Sequence, residues 1–182
     1  TVQAGDNVNE LNYVDTNSLI LNNGAIKDLV DNRAVLTLPS PNKFGKIIKI
    51  DTTKPILTTV SIQSNNSNTT KAQKDNVITL SITANETITQ PTITFAIGGT
   101  TVTPTISSGP STSYTATYTV LASQNGLVTF SITNYQDNAS NPGDTVNTRT
   151  YMTSVTVDTS DPIISSISTT KGTGNYTIGD II

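Results

Sequence analysis

The chain contains no cysteine and no histidine among its 182 residues. The absence of cysteine excludes disulfides, zinc thiolate sites and thiol catalysis. The absence of histidine excludes Ser-His-Asp and Cys-His chemistry within this chain. Oxygen atoms are the good metal ligands that remain, which favours hard cations such as Ca²⁺. Tryptophan is also absent, so the tryptophan and cysteine pair of an antibody-type domain are both missing.

Charge is scarce as well, since charged residues make up 13% of the chain against a usual ~25%. The formal net charge is −3, and the ten Lys and Arg residues form no basic stripe. Nucleic-acid binding therefore has no electrostatic footprint. No apolar run approaches the ~20 residues of a membrane span. We expect neither a nucleic-acid partner nor a membrane span, and the dispersed acids without a base–nucleophile pair predict that the chain is not an enzyme.

The chain does contain a long internal repeat. Residues Asp51–Ser61 align without a gap on Asp158–Ser168, at a distance of 107 positions (158 − 51 = 107). A second echo precedes each copy, because Asp28–Asn32 and Asp137–Asn141 both read Asp-x-x-x-Asn. Self-similarity at a fixed period indicates an array. A period of this length suits one Ig-like sandwich of about 100 residues.

The frame of the repeat predicts an all-β chain of tandem Ig-like antiparallel β-sandwich domains, one complete and two partial. Residues 53–158 are the complete sandwich, 1–52 the C-terminal part of an earlier repeat, and 159–182 the start of the next. The chain begins without Met and stops in what reads as a strand. We therefore expect a segment of a longer protein.

Alternating apolar residues and turn signals place seven strands in the complete unit. Their predicted ranges are Ile56–Gln63, Asn76–Ala84, Pro91–Ile97, Thr100–Ile106, Ser113–Leu121, Leu127–Tyr135 and Thr145–Val157. Glu86 is predicted in the loop after the second strand. The predicted core contains Ile78, Leu80, Ile82, Tyr118, Phe130 and Ile132. In residues 1–50 the strand candidates are Leu11–Tyr13, Leu19–Leu21, Ala34–Leu38 and Ile47–Ile50.

Several segments resemble two bacterial Ig-like surface repeats that are often interleaved. The first resemblance rests on Thr1–Asp6, Leu11–Tyr13, Leu19–Gly24, Ala34–Pro39 and Ile50–Pro55, and the start of another copy is similar to 159–182. The second rests on Leu80–Glu86, Tyr114–Val120, Val128–Ile132 and Asp137–Asn141. The family pattern Ala-Gly-Asn becomes Ala139-Ser140-Asn141 and Val30-Asp31-Asn32, so a loop glycine is lost in both copies.

The resemblance implies tandem domains of long secreted or surface-attached bacterial proteins, such as adhesins, biofilm proteins and surface filaments. The expected location is extracellular, at the bacterial cell surface. The implied partners are neighbouring repeats of the same chain or other copies of it, and a host or cell-surface glycan or protein is a further candidate. Several similar repeats hold Ca²⁺ between domains, which implies Ca²⁺ as the cofactor here.

Acidic and amide side chains are candidate metal ligands because of where an Ig sandwich would place them. In an Ig sandwich the loop after the second strand (B–C) and the loop after the sixth strand (F–G) lie at the same pole as the N-terminus of the domain. The candidate ligands for this pole are Asp51, Glu86, Asp137, Asn138 and Asn141. Asp158 and Asp161 are expected to serve the next unit, and Asp28, Asp31 and Asn32 the preceding one. The alternative is that these residues occupy turns because their side chains bond their own backbone.

Three functions remain open at this point. The leading hypothesis is a structural array, a stalk or filament stiffened by Ca²⁺ at its junctions. The second is a module that binds glycan or protein through one face, which predicts an exposed aromatic cluster. We expect Tyr114, Tyr118, Phe130 and Tyr135 to be core and corner residues instead. The third is an accessory sandwich of a secreted hydrolase.

Overall fold

The protein is described by a computed structural model covering residues 1–40, 47–151, 154–168 and 172–179. Within these ranges every regular element is a strand, and no helix is present. This confirms the all-β class. In chain order the strands are β1 (Leu57–Ser64), β2 (Lys71–Ala72), β3 (Val77–Ile88), β4 (Thr92–Ile97), β5 (Thr100–Val102), β6 (Thr105–Ile106), β7 (Ser111–Thr119), β8 (Gly126–Thr133) and β9 (Thr156–Val157).

The strands form two sheets in a sandwich-like arrangement. One sheet has four strands in the order β1-β3-β7-β6, and the other has five in the order β2-β9-β8-β4-β5. All strand pairs are antiparallel except the short parallel pair of β2 with β9. Buried residues of both sheets join one hydrophobic cluster. Each sheet therefore buries one face and leaves the other to Thr and Ser side chains.

The core confirms the predicted strand registers. In β3, buried Ile78, Leu80 and Ile82 alternate with half-buried polar residues, and in β8 Phe130 and Ile132 are buried. A shift by one residue would have turned each set outward. Tyr118 differs from the prediction and is only half-buried. Its hydroxyl accepts a hydrogen bond from the Gln124 amide at 2.8 Å, which keeps the polar end of the ring at the surface.

Two predicted strands are wrong as continuous elements. The range Thr100–Ile106 divides into β5, which pairs with β4, and β6, which pairs with β7 in the other sheet. Pro104 lies between them, and proline cannot donate to a strand ladder. The predicted strand Thr145–Val157 is regular only at its end, in β9.

The chain before β9 crosses between the two sheets. Val146 bridges Ile132 of β8, whereas the Thr150 amide donates to the Val60 carbonyl of β1 at 2.9 Å. Residues 152 and 153 lie outside the described ranges. Bonding to one sheet and then to the other prevents a single continuous ladder.

Strand β3 is longer than predicted and carries Glu86. The predicted loop Asn85–Gln90 is therefore wrong at its start, because β3 continues to Ile88 after a register shift between Thr83 and Ile88. Beyond the shift, Ile88 bridges Asp137. A bulge of this kind redirects the side chains that follow it, and here it brings the end of β3 beside the loop after β8.

The described residues of the range 1–50 form bridges and turns rather than the four predicted strands. Val8 pairs with Ile50, and Lys27 pairs with Arg33, as isolated bridges. Val14, Leu29 and Val35 are among the apolar side chains that stay exposed here. A strand needs a neighbouring strand to complete its ladder, and within the described residues none pairs with this segment. Residues 41–46, which precede the predicted strand Ile47–Ile50, lie outside the described ranges.

The described residues after Thr159 are exposed and form no strand. The repeat aligns Ile164 with Leu57 and Ile167 with Val60 (164 − 57 = 107). Leu57 and Val60 are buried in β1, whereas Ile164 and Ile167 are 83% and 89% exposed. The same sequence pattern is therefore packed in one copy and unpartnered in the described part of the other. Of the predicted third unit, residues 169–171 and 180–182 lie outside the described ranges.

Candidate metal centre

Three carboxylates meet at the pole where the chain enters the sandwich. Asp51 comes from the linker before β1, Glu86 from the bulged end of β3, and Asp137 from the loop after β8. One carboxylate oxygen of each residue lies within 4.8 Å of the other two. Among the described residues this is the one group of three acids that close together. It could hold a metal ion.

Backbone pairing explains why these three residues converge. The Asn85 amide donates to the Ile56 carbonyl at 3.0 Å, and the Asn85 side-chain oxygen accepts from the Ile56 amide at 2.8 Å. On the other side, the Thr89 amide donates to the Gln136 carbonyl at 2.8 Å. The end of β3 thus lies between the linker and the loop after β8.

Asp137 is fixed by its own loop. Its Oδ1 accepts hydrogen bonds from the Ala139 amide at 2.8 Å and the Asn141 amide at 2.9 Å. Its Oδ2 accepts one from the Asn141 side chain at 2.8 Å. Asp137 is only 2% exposed, so water has little access to its carboxylate. An ionised carboxylate has about four acceptor positions. These three bonds leave one acceptor position for a cation.

Asn141 supports the cluster through its nitrogen. The Asn141 Nδ2 donates to Asp137 Oδ2 and also to the Asp51 carbonyl at 3.1 Å. The amide therefore ties the linker to the loop, and its nitrogen faces the carboxylates. Asn138 lies exposed in the same loop.

Glu86 lies in surroundings that disfavour its negative charge. Desolvation raises the pKa of its carboxyl above the ordinary value, and the negative charges of Asp137 and then Asp51 raise it further. The Asn85 side chain, 3.5 Å from Glu86 Oε1, opposes this shift. A raised pKa means that the ionised form is disfavoured in the fold. A bound cation would reverse that preference.

The loop Asp28–Asn32 repeats the bonding of Asp137–Asn141. Asp28 Oδ1 accepts from the Val30 and Asn32 amides at 3.0 and 2.8 Å, and Oδ2 accepts from Asn32 Nδ2 at 2.8 Å. The hydrogen bonds from the Asn32 side chain and backbone lower the pKa of Asp28. Asp31 pairs with Lys27 at 2.9 Å. The structure brings no other two acids of the described chain to Asp28.

The missing loop glycine falls on the left-handed position in both copies. The φ angle is 67° at Asp31 and 71° at Ser140. Glycine adopts this region without strain, so these are the positions of the two loops at which a glycine would fit best.

The remaining predicted ligands lie apart from the cluster. Asp158 Oδ1 accepts from the Ser160 amide at 3.0 Å, as Asp51 Oδ1 accepts from the Thr53 amide at 2.9 Å. Asp161 is exposed. Neither acid belongs to a group of three within the described residues.

One ion pair at this pole was not predicted from the sequence. Lys54 Nζ lies 2.7 Å from Asp144 Oδ1 and joins the linker to the chain after the Asp137 loop. Both side chains are more than half exposed. Exposed pairs contribute little stability, so this pair adds less to the junction than the buried bonds of Asp137.

No protein family model, no curated protein and no solved structure matches this chain. The described residues contain no helix that is long and apolar enough to cross a membrane.

Proposed function

We propose that this chain is a structural segment of a long secreted or cell-surface repeat protein, in which Ca²⁺ stiffens the junctions between successive units. The observation that carries the proposal is the meeting of Asp51, Glu86 and Asp137 at the junction pole. One of these acids belongs to the linker and two belong to the sandwich. An ion shared by them would fix the linker against the sandwich.

The donor set suits calcium. Ca²⁺ takes six to eight oxygen ligands at about 2.3–2.6 Å. Two oxygens on opposite sides of such an ion are therefore about 5 Å apart. The three carboxylate oxygens, all within 4.8 Å of one another, fit around one ion of this size. Backbone carbonyls and water would supply the remaining ligands, as in other calcium sites.

The array is supported by two kinds of repetition. The Asp-Thr-x-x-Pro linker occurs twice, and the Asp-x-x-x-Asn loops share the same side-chain and backbone hydrogen bonds. The resemblance to bacterial Ig-like surface repeats supports the extracellular, cell-surface location. Extracellular calcium modules bind with Kd values of about 10⁻⁴–10⁻³ M, so such a site would be filled outside a cell.

The aromatic residues favour the array over a glycan-binding platform. Tyr114, Phe130 and Tyr135 are buried in the sandwich core, and Tyr118 packs against it. None of these four rings forms an exposed stacking surface.

The test is small-angle scattering and calorimetry on the 182-residue chain, with Ca²⁺ and with a chelator. We expect chelation to lower the melting temperature and to change the maximum dimension as the Asp51–Lys54 linker loosens. Asp51→Ala should loosen the linker as chelation does, and it should abolish most of the response to Ca²⁺. The control is Asp75→Asn, since Asp75 is exposed in a turn at φ 69°, and its one ion pair among the described residues is with its neighbour Lys74. An unchanged dimension and melting temperature on chelation would dispose of the proposal.

A further inference from the structure

A five-residue turn occurs twice in the chain, at Gln3–Asn7 and at Leu121–Asn125, 118 positions apart (125 − 7 = 118). In both copies the first amide donates to the side-chain oxygen of the fourth residue at 2.8 Å. In both copies the third residue has a positive φ, 96° at Gly5 and 65° at Ser123. The two turns therefore share one geometry, although only alanine and asparagine are identical between them.

The last residue of each turn contacts a linker. Asn7 Oδ1 accepts the Thr52 amide at 2.8 Å, and Asn125 Oδ1 accepts the Thr159 amide at 2.7 Å. Thr52 and Thr159 hold the same place in the repeated linker (159 − 52 = 107). The same contact is thus made by the same residue types at two junctions.

The first junction, at Thr52 before β1, has hydrogen bonds in addition to the asparagine contact. The second junction is at Thr159 after β9. The Thr52 hydroxyl accepts from the Gly5 amide at 2.9 Å and donates to the Asp6 carbonyl at 3.2 Å. At the second junction, the Thr159 hydroxyl oxygen is buried and has no partner among the described residues. The two junctions therefore share the asparagine contact and differ in the hydroxyl contact.

The opposite side of the first linker is held by the following sandwich. Asn141 Nδ2 donates to the Asp51 carbonyl at 3.1 Å, one residue before the threonine that Asn7 contacts. Adjacent residues of the linker are thus bound to the segment that precedes it and to the sandwich that follows it. The Asn7 contact involves no carboxylate of the cluster and needs no ion, whereas the Asn141 nitrogen also donates to Asp137 Oδ2.

We propose that Asn7 and Asn125 are positioning residues that clamp the linker threonine and set the direction in which the chain leaves one unit for the next. The proposal deepens the array function and rests on it for the statement that linker direction matters. The clamp acts without calcium, so the ion adds stiffness to a linker that is already oriented.

The direct readout is amide hydrogen exchange by NMR on the full chain. Asn7→Ala should speed exchange of the Thr52 amide about two- to tenfold, the range set by the loss of one ordinary hydrogen bond. The Asn85 amide, which bonds Ile56, should exchange at its original rate. Asn9→Ala is the matched control, because Asn9 is exposed two residues further along the chain. Asn125→Ala should act in the same way on Thr159.

Linker direction is read from distances between spin labels. Because the chain has no native cysteine, labels attach only at introduced cysteines, here at the exposed positions Glu10 and Thr94. In the presence of chelator, and therefore without calcium, Asn7→Ala should broaden the distance distribution. Asn9→Ala should leave it narrow. Unaltered exchange at Thr52 together with an unaltered distribution in Asn7→Ala would overturn the proposal.

A second pair of variants separates the clamp from general destabilisation. Thr52→Val removes two hydroxyl bonds, whereas Thr159→Val removes none that the described residues provide. We expect broader distances across the first junction in Thr52→Val and no change across the second in Thr159→Val, measured between Thr94 and Ser166. Equal broadening in both would contradict a contribution of the Thr52 hydroxyl bonds to the clamp. A calcium effect that is absent while the Asn7 effect persists would reject the metal site alone.

Discussion

Replacing Glu86 by glutamine should stabilise the sandwich without calcium and weaken its response to calcium. Glu86 takes part in two of the three repulsions of the cluster, since its oxygen lies within 4.8 Å of both other carboxylates. Each repulsion is worth about 0.9 kcal/mol at that distance in a water-like dielectric. Salt at physiological strength reduces this by about half. Burial of Asp137 acts against this screening, because a lower local dielectric strengthens the repulsion.

The expected gain of Glu86→Gln in chelator is therefore about 1–2 kcal/mol. For a unit of this size it corresponds to a rise in melting temperature of about 4–16 °C. Glutamine keeps an oxygen for the Asn85 contact. The wild-type chain, in contrast, should gain about 1.4–2.7 kcal/mol from 10 mM Ca²⁺ if Kd is in the ~10⁻⁴–10⁻³ M range.

Calorimetry of the wild type and of Glu86→Gln, each with chelator and with 10 mM Ca²⁺, measures both effects. The variant should be the more stable chain in chelator and should lose most of the calcium response. Asp75→Asn serves as the control for loss of one negative charge outside the cluster. A variant that is less stable in chelator, or that responds to calcium as the wild type does, would refute the charge argument.

Four further predictions concern the Asp137 loop, Glu86 and the Asp28 loop. Ser140→Gly should raise the free energy of unfolding by about 0.5–1 kcal/mol in urea denaturation, because relief of the left-handed conformation exceeds the backbone entropy of glycine; an alanine at this position should give no gain. Gly143→Ala should lower it by about 1–3 kcal/mol, because the added Cβ would lie 1.9 Å from the buried ring of Tyr135. The stability advantage of Glu86→Gln in chelator should be present at neutral pH and disappear as the pH falls through the raised pKa of Glu86, since protonation removes the same charge; a pH-independent difference would contradict this. Asp28, whose pKa is lowered, should contribute stability at neutral pH that is lost as the pH falls below its ordinary range.

The sequence predicted the core because alternation is a property of each strand alone. Ile78, Leu80 and Ile82 alternate with polar residues, and this pattern suffices to place one face inward. The strand ends were predicted less well, because they depend on partners far along the chain. Pro104 sends the chain from one sheet to the other, and Thr150 bonds a strand 90 residues earlier.

The position of the cluster was predictable from topology, but its geometry was not. The N-terminus, the B–C connection and the F–G loop of an Ig sandwich share one pole, which is enough to bring Asp51, Glu86 and Asp137 into one neighbourhood. The bulge that keeps Glu86 on β3 has no clear sequence signal. The clamp asparagines were missed because Asn7 and Asn125 are 118 positions apart, whereas the linkers repeat at 107.

A comparison of the two Asp-x-x-x-Asn loops shows that Glu86 is the carboxylate of the cluster with the least compensation for its negative charge. Asp28 and Asp137 accept the same three hydrogen bonds from their own loops. At Asp28, where no other acids of the described chain join it in a cluster, bonding from Asn32 lowers the pKa. The loop by itself thus stabilises a carboxylate charge before any cation arrives. Glu86 has only a long contact with Asn85 to offset desolvation and two like charges. It is therefore the residue whose ionisation a cation would change most, and the one at which the metal hypothesis is tested most sharply.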